Sequence, residues 1–150
     1  MNVNACDACH TLADAAKHTY TLARPKNQIC TFCHKAETLG VTNAPVVHQP
    51  VKTGDCLPCH NPHGGKTNKF IRGASMKDTC NQCHKDVVGT KKNVHGPVAA
   101  GACEACHNPH ASKNPKLLVE QGKALCTTCH KEMSDQLAKA KVTHKPVMEG

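Results

Sequence analysis

Apolar residues fall along this chain in short clusters. No period-two run is long enough for a strand, and no alternating β-branched segment occurs. The pattern predicts no significant β-sheet. Helical spacing appears at Leu125, Cys129, Met133, Leu137 and Ala140, predicting that the longest helix runs through KEMSDQLAKAKV and the residues before it. Shorter helical runs are expected at KAETLG, closed by Gly40, and at KDVVG, closed by Gly89, because glycine enters the left-handed conformation that ends a helix. Asn61-Pro62 and Asn108-Pro109 predict turns. No stretch approaches the ~20 apolar residues of a transmembrane helix. The expected fold class is mostly irregular with short α-helices.

Composition makes that fold hard to stabilise. Among 150 residues there is no Trp, with Tyr20, Phe32 and Phe70 as the only aromatics. Bulky apolar side chains supply most burial energy, about 25 cal/mol per Å². A chain this poor in them needs staples: disulfides, metals or cofactors. The segment from Met1 to Ala5 is too short and polar for an export leader, so an exported form is expected to have lost its leader.

The cysteines supply the staples. All 12 fall into Cys-x-x-Cys pairs: Cys6/Cys9, Cys30/Cys33, Cys56/Cys59, Cys80/Cys83, Cys103/Cys106 and Cys126/Cys129. Each pair is followed at once by histidine: His10, His34, His60, His84, His107 and His130. C-x-x-C-H is the attachment motif for c-type haem. Two thiols add to the two vinyl groups on one haem edge, and the adjacent imidazole binds the iron from below. Zinc sites, disulfide frameworks and thioredoxin-like redox pairs also use Cys-x-x-Cys. None of them requires a histidine after every pair. The expected cofactor is therefore haem c, six copies with iron.

Six further histidines lie outside the motifs: His18, His48, His63, His95, His110 and His144. One follows each motif before the next begins. Six irons need six distal ligands if all are closed, and the counts agree. Any single histidine would by default be a surface residue, but six so placed are read as distal ligands. His18 stands in surroundings unlike the others. Methionine is the competing axial ligand, and Met76, Met133 and Met148 are candidates; with histidine available they are expected to pack against haem faces.

The chain repeats itself. HQPVKTGDCLPCHNPH, from His48, recurs as HGPVAAGACEACHNPH, from His95, 47 residues on. A third HxPV segment, HKPVMEG, begins at His144. A lysine follows each second motif of a pair: Lys35, Lys85 and Lys131. The expected organisation is a single domain, 1–150, of three dihaem repeats at about 6–48, 49–95 and 96–144. The first repeat lacks both the HxPV segment and the HNPH tail. The third HxPV segment leaves three readings open: His144 ligates within the chain, the chain is part of a longer array, or His144 reaches a haem of the next subunit and strings copies head to tail.

The opening H-x-P-V-x-x-G-x-C, the block C-x-x-C-H-N-P-H and the following C-x-x-C-H-K together resemble the doubled-CXXCH multihaem c-type cytochromes, carriers of nitrite- and metal-respiring bacteria. The resemblance runs from Cys6 to the end and is strongest from His48 to His130. It implies a polypeptide wrapped around a haem core, with low-spin, low-potential bis-histidine haems close enough for rapid hopping. It also implies that His48, His63, His95 and His110 are distal ligands.

Charge adds one more constraint. The polypeptide carries +8, which invites a nucleic-acid reading. Its 19 Lys and Arg are dispersed, however, and aromatic stacking surface is almost absent. Haem propionates would absorb the excess, so no nucleic-acid partner is expected. The functional expectation is an electron-transfer protein rather than an enzyme, since six-coordinate iron offers substrate no open position. The alternative is a multihaem reductase with one open haem. Expected partners are redox proteins or extracellular electron acceptors. Covalent haem attachment after export points to the periplasm or the cell exterior.

Overall fold

Backbone hydrogen bonds in the computed structural model, which describes residues 6–67, 69–85 and 87–149, are spent mainly on tight turns. Each C-x-x-C-H segment is one of these. In all six, the N–H of the second cysteine donates to the carbonyl of the first at 3.1 to 3.3 Å. In five of them the histidine N–H reaches the same carbonyl at 2.9 to 3.0 Å. Positions i, i+3 and i+4 share one face of a helical turn, so this turn sets both thiols and the imidazole on one side. His10 is the exception, because it opens strand β1 (His10–Asp14).

The chain returns to the first motif of every repeat in the same way. His10 pairs with Leu22, His60 with Ile71 and His107 with Leu118. The next residues, Ala23, Arg72 and Val119, each donate to the carbonyl of the motif's second cysteine at 2.9 Å. In the first repeat the excursion is a hairpin of β1 and β2 (Thr19–Leu22). In the other two it is a loop opened by the expected Asn-Pro turn. There the Asn61 side chain accepts from the His63 N–H at 3.2 Å, and Asn108 does the same for His110 at 3.0 Å.

The HxPV segments form short helices: α1 (Gln49–Lys52), α3 (Gly96–Ala100) and α6 (Lys145–Glu149). Pro50 and Pro97 lie in the first turn of α1 and α3, where proline's fixed φ suits a helix start. Gly54 and Gly101 then close those helices in the left-handed conformation, at φ of 72° and 75°. At each, the glycine N–H and the next N–H reach back to two helix carbonyls: Gly54 to Val51 and Asp55 to Pro50, Gly101 to Val98 and Ala102 to Pro97. A Cβ on Gly54 would lie 2.5 Å from the Asn27 oxygen, and one on Gly101 would lie 2.6 Å from Lys77 Cβ. Asn27 and Lys77 both stand three residues before a second-motif cysteine. Each of these two helices is thus seated on the preceding repeat. At the first seat the Lys26 ammonium also pairs with Asp55 at 3.0 Å. The third, α6, packs on α4 (Gly122–Thr127) in the corresponding place.

Three sequence expectations change in detail. The long terminal helix is broken: α4 ends at the last motif, and α5 (Lys131–Lys139) restarts after His130, whose backbone (φ −89°, ψ 61°) is not helical. The motif turn interrupts the apolar stripe. KAETLG makes one turn only, with Leu39 N–H on Lys35 and Val41 N–H on Ala36, closed by Gly40 at φ 66°. KDVVG forms no helix among its described residues, although Gly89 is left-handed at 59°. The remaining helix, α2 (Met76–Asn81), is capped by Ser75, whose hydroxyl accepts from the Asp78 N–H at 3.1 Å.

Among the described residues, sheet is limited to the hairpin and a two-residue pair, β3 (Val46–Val47) with β4 (Ala111–Ser112). The fold is mostly irregular with short helices. Among the described residues only Ile29, Ile71 and Ala111 form a buried apolar core, while Leu12, Tyr20, Phe32 and Met133 are exposed. The surface totals 11416 Å²; a compact monomer of this mass would expose about 7,400 Å². The polypeptide is not its own core.

Candidate metal centres

The fold brings histidines distant in sequence into facing pairs. His10 lies 5.9 Å from His63 between ring centroids, His84 6.0 Å from His48, His60 6.0 Å from His110 and His130 6.1 Å from His95. Each pair joins one motif histidine to one spare histidine. The separation lies within the range of about 4.5–7 Å of ordinary aromatic pairs. It matches two imidazoles bonded through nitrogen to one metal between them, with bonds of about 2.0 Å and centroids about 6 Å apart. Residues and geometry therefore fit haem iron held from both sides.

Hydrogen bonds orient these rings. His60 Nδ1 lies 2.9 Å from the Lys69 carbonyl, His107 Nδ1 3.0 Å from that of Lys116 and His48 Nδ1 3.0 Å from that of Pro109. A carbonyl only accepts, so Nδ1 carries the proton and Nε2 keeps its lone pair for a metal. The two lysine carbonyls are turned inward by strained backbone: Phe70, Lys116 and Leu117 have φ of 52°, 56° and 60°. Such conformations cost a non-glycine residue about 1–2 kcal/mol each.

Several thiols lie in adjoining groups. Cys56 is pushed up to about 11 by burial first and then by the neighbouring Cys30. Cys80 is also pushed up to about 11, by burial and then by Cys103. Burial raises Cys59, with Cys83 adding to it. The second, third, fourth and fifth motifs therefore run side by side. His110 is lowered by burial first, then by His60 and His48.

Not every cysteine of the expected attachment set joins these groups. Cys9, Cys33 and Cys106 do not, although their motifs predict the same role for them. Backbone alone places these three. The N–H of Cys9 donates to the Cys6 carbonyl at 3.1 Å, that of Cys33 to Cys30 at 3.2 Å and that of Cys106 to Cys103 at 3.2 Å. The carbonyls of Cys9 and Cys106 also accept from the returning chain, at Ala23 and Val119. Cys9 and Cys33 are exposed and Cys106 is half-buried. Each is the second cysteine of its motif, and the turn points it to the same side as the first. Cys6, Cys126 and Cys129, in the outermost motifs, are exposed as well.

No two of the twelve cysteines are bonded to each other. Among the described residues, no three or more of His, Cys, Asp and Glu converge as a site for a bare metal ion.

Four spare histidines are thus placed opposite motif histidines, and two are not. His18 lies at the hairpin tip at φ 49°. There the Asp14 carboxylate accepts from the N–H groups of Ala16 and Lys17 at 2.9 and 3.2 Å. His144 precedes α6. Among the described residues no ring faces His18, His34, His107 or His144. Met76, Met133 and Met148 lie in or at the start of α2, α5 and α6. The pairing of the histidines and the orienting carbonyls of Lys69, Lys116 and Pro109 are absent from the sequence expectations. They are long-range or backbone features with no local signal.

Comparison with known proteins agrees with the site. The doubled CXXCH motif family matches residues 48–89 and 95–135. The chain is 34% identical over 89 residues to a protein named multiheme cytochrome MtrA from Shewanella baltica (strain OS185). That alignment covers 58% of this chain and 26% of the relative, so the chain spans about a quarter of the relative's length.

Proposed function

The chain belongs to the doubled CXXCH motif family of multihaem c-type cytochromes, and on that footing we propose that it carries electrons through six covalently attached haems. The observation that supports this best is the set of four facing imidazole pairs at 5.9 to 6.1 Å. Bound haem supplies an iron that gains or loses one electron without changing its ligands. The protein's part is to hold and orient. The twelve cysteines tether, including Cys9, Cys33 and Cys106. The six motif histidines bind on the proximal side, and His18, His48, His63, His95, His110 and His144 supply distal imidazoles.

Three dihaem repeats form one domain in this reading, because the facing pairs cross repeat boundaries. His63 serves the repeat before its own, as does His110. His48 and His95 serve the second motif of the repeat they introduce. The adjoining thiols of the second to fifth motifs favour a continuous electron path. No helix among the described residues is long and apolar enough to cross a membrane. Residence in the periplasm or at the cell exterior, with redox proteins or extracellular acceptors as partners, follows from the attachment chemistry.

A reductase is the second reading, favoured by the lack, among the described residues, of an imidazole opposite His34 and His107. Carbon monoxide binding by the fully reduced, natively assembled protein would support it. The primary test is a pyridine haemochrome assay combined with the intact mass of the matured chain. Six haems per chain and low-spin spectra are expected; a chain without haem overturns the proposal.

A further inference from the structure

The first motifs of the three repeats orient their histidines in two ways. His60 and His107 each hold Nδ1 against the carbonyl two residues before that histidine's backbone partner: Lys69 before Ile71, and Lys116 before Leu118. Left-handed backbone at Phe70, and at Lys116 and Leu117, turns those carbonyls inward. In the first repeat the partner of His10 is Leu22, and the residue two before it is Tyr20, in the extended strand β2. Among the described residues, ring-to-carbonyl hydrogen bonds are made by His48, His60 and His107 and not by His10. The ring of Tyr20 stands beside His10 instead, edge-on, at 6.4 Å between centroids and 77° between planes. Aromatic pairs favour that arrangement, in which a positive ring edge meets a negative face.

Strand geometry extends the contact to a whole face of the hairpin. Residues paired across an antiparallel ladder point to one side, as do residues two apart in a strand. His10 is paired with Leu22, and Leu12 with Tyr20. These four share one face, with Thr11 and Thr21 on the other. The three apolar members are 45 to 59% exposed, whereas Ile71, the counterpart of Leu22, is buried. Across the 5.9 Å gap from His10 lies His63. These two rings are the nearest to parallel of the four facing pairs, at 19° against 25°, 33° and 36°.

Resting on the haem reading above, we propose that Tyr20 sets the plane of the His10 imidazole in the haem held between His10 and His63, with Leu12 and Leu22 lying against the same porphyrin. A porphyrin is far wider than an imidazole, so it overhangs the side chains that stand beside His10. Covering them removes from water an apolar face that the hairpin cannot cover by itself. Rotating His10 about its iron–nitrogen axis would lose the edge-on contact with Tyr20. His63 is placed by its own turn, where Asn61 accepts from the His63 N–H. The two imidazole planes are therefore kept near parallel. Tyr20 is a positioning residue, acting on the iron only through His10.

Electron paramagnetic resonance of the matured, fully oxidised protein tests this, because a low-spin ferric spectrum depends on the angle between the two axial imidazole planes. Near-parallel planes give a rhombic signal; crossed planes give a signal of much larger anisotropy. Tyr20→Ala and Tyr20→Leu should each move about one sixth of the low-spin intensity from the first kind toward the second. Tyr20→Phe keeps the ring and should leave the spectrum unchanged. Adding His63→Ala should turn the Tyr20-sensitive sixth high-spin, which assigns it to the haem at His10. Replacing Leu12 and Leu22 together by Gln should lower the midpoint potential of one haem, since water admitted to this face favours the ferric charge. An unchanged spectrum in Tyr20→Ala overturns the proposal. So does a change in Tyr20→Phe as large as in Tyr20→Ala, a Tyr20-sensitive signal that survives His63→Ala, or a set of potentials indifferent to the double Gln variant. Unsubstituted protein that matures without low-spin haem refutes the underlying haem reading instead.

Discussion

The backbone N–H of His48 donates to the carbonyl oxygen of His110 at 2.9 Å, although 62 residues separate them. The two rings face different motif histidines, His84 and His60. One backbone bond thus ties together two of the facing imidazole pairs, and the β3–β4 pair beside it locks the register. Because the link is made by main chain, either side chain can be removed without losing it. His110→Ala and His48→Ala should each convert about one sixth of the low-spin haem to high-spin, and the double variant about one third. Electron paramagnetic resonance reads this directly. Two haems opening in either single variant would contradict the assignment.

The glycines that close α1 and α3 should differ from other left-handed glycines. Gly40 has nothing within 4 Å of the position a Cβ would take, so Gly40→Ala should cost only the backbone strain, about 1 kcal/mol. Gly54→Ala adds a collision with the Asn27 carbonyl, and the loss should reach about 3 kcal/mol. Thermal midpoints of the matured variants should fall in that order.

Helix α2 carries Cys80 and depends on its cap. Ser75 accepts from the Asp78 N–H and donates to the Asp78 carboxylate at 2.7 Å. Ser75→Ala should destabilise the protein by about 1 kcal/mol, and Ser75→Gly by a few tenths. Paired thermal melts distinguish the two.

A polypeptide with a surface about half as large again as a compact chain cannot hold itself together. Produced without haem attachment, it should give the circular dichroism of an unfolded chain and no cooperative melt, as metal-dependent small domains do. A folded haem-free chain would show that the apolar core is larger than Ile29, Ile71 and Ala111 suggest.

Much of this molecule is legible in its residues, and the parts that are not share a cause. The attachment turns, the Asn-Pro turns and the closing role of Gly40 are local, so spacing and residue type announce them. The same holds for Cys9, Cys33 and Cys106, whose places follow from the motif turn although no thiol cluster gathers them. The apolar stripe from Leu125 to Ala140 misleads because periodicity does not register the interruption that the motif imposes at His130. The first repeat looks unlike the others, since it lacks HNPH. Its hairpin nonetheless returns Leu22 to His10 as Ile71 returns to His60. Backbone pairing preserves that design where side chains have diverged. Which histidine faces which cannot be read locally, because the partners stand 35 to 53 residues apart and the choice depends on how one repeat sits on the next.

The seat of α1 and α3 on their preceding repeats has a consequence for growth. Gly54 on Asn27 and Gly101 on Lys77 are the same joint made twice, so a duplicated segment of 47 residues arrives with both halves of the joint already cut to fit. Conductors of different lengths can then arise by copying alone, with no fresh surface to invent at each extension.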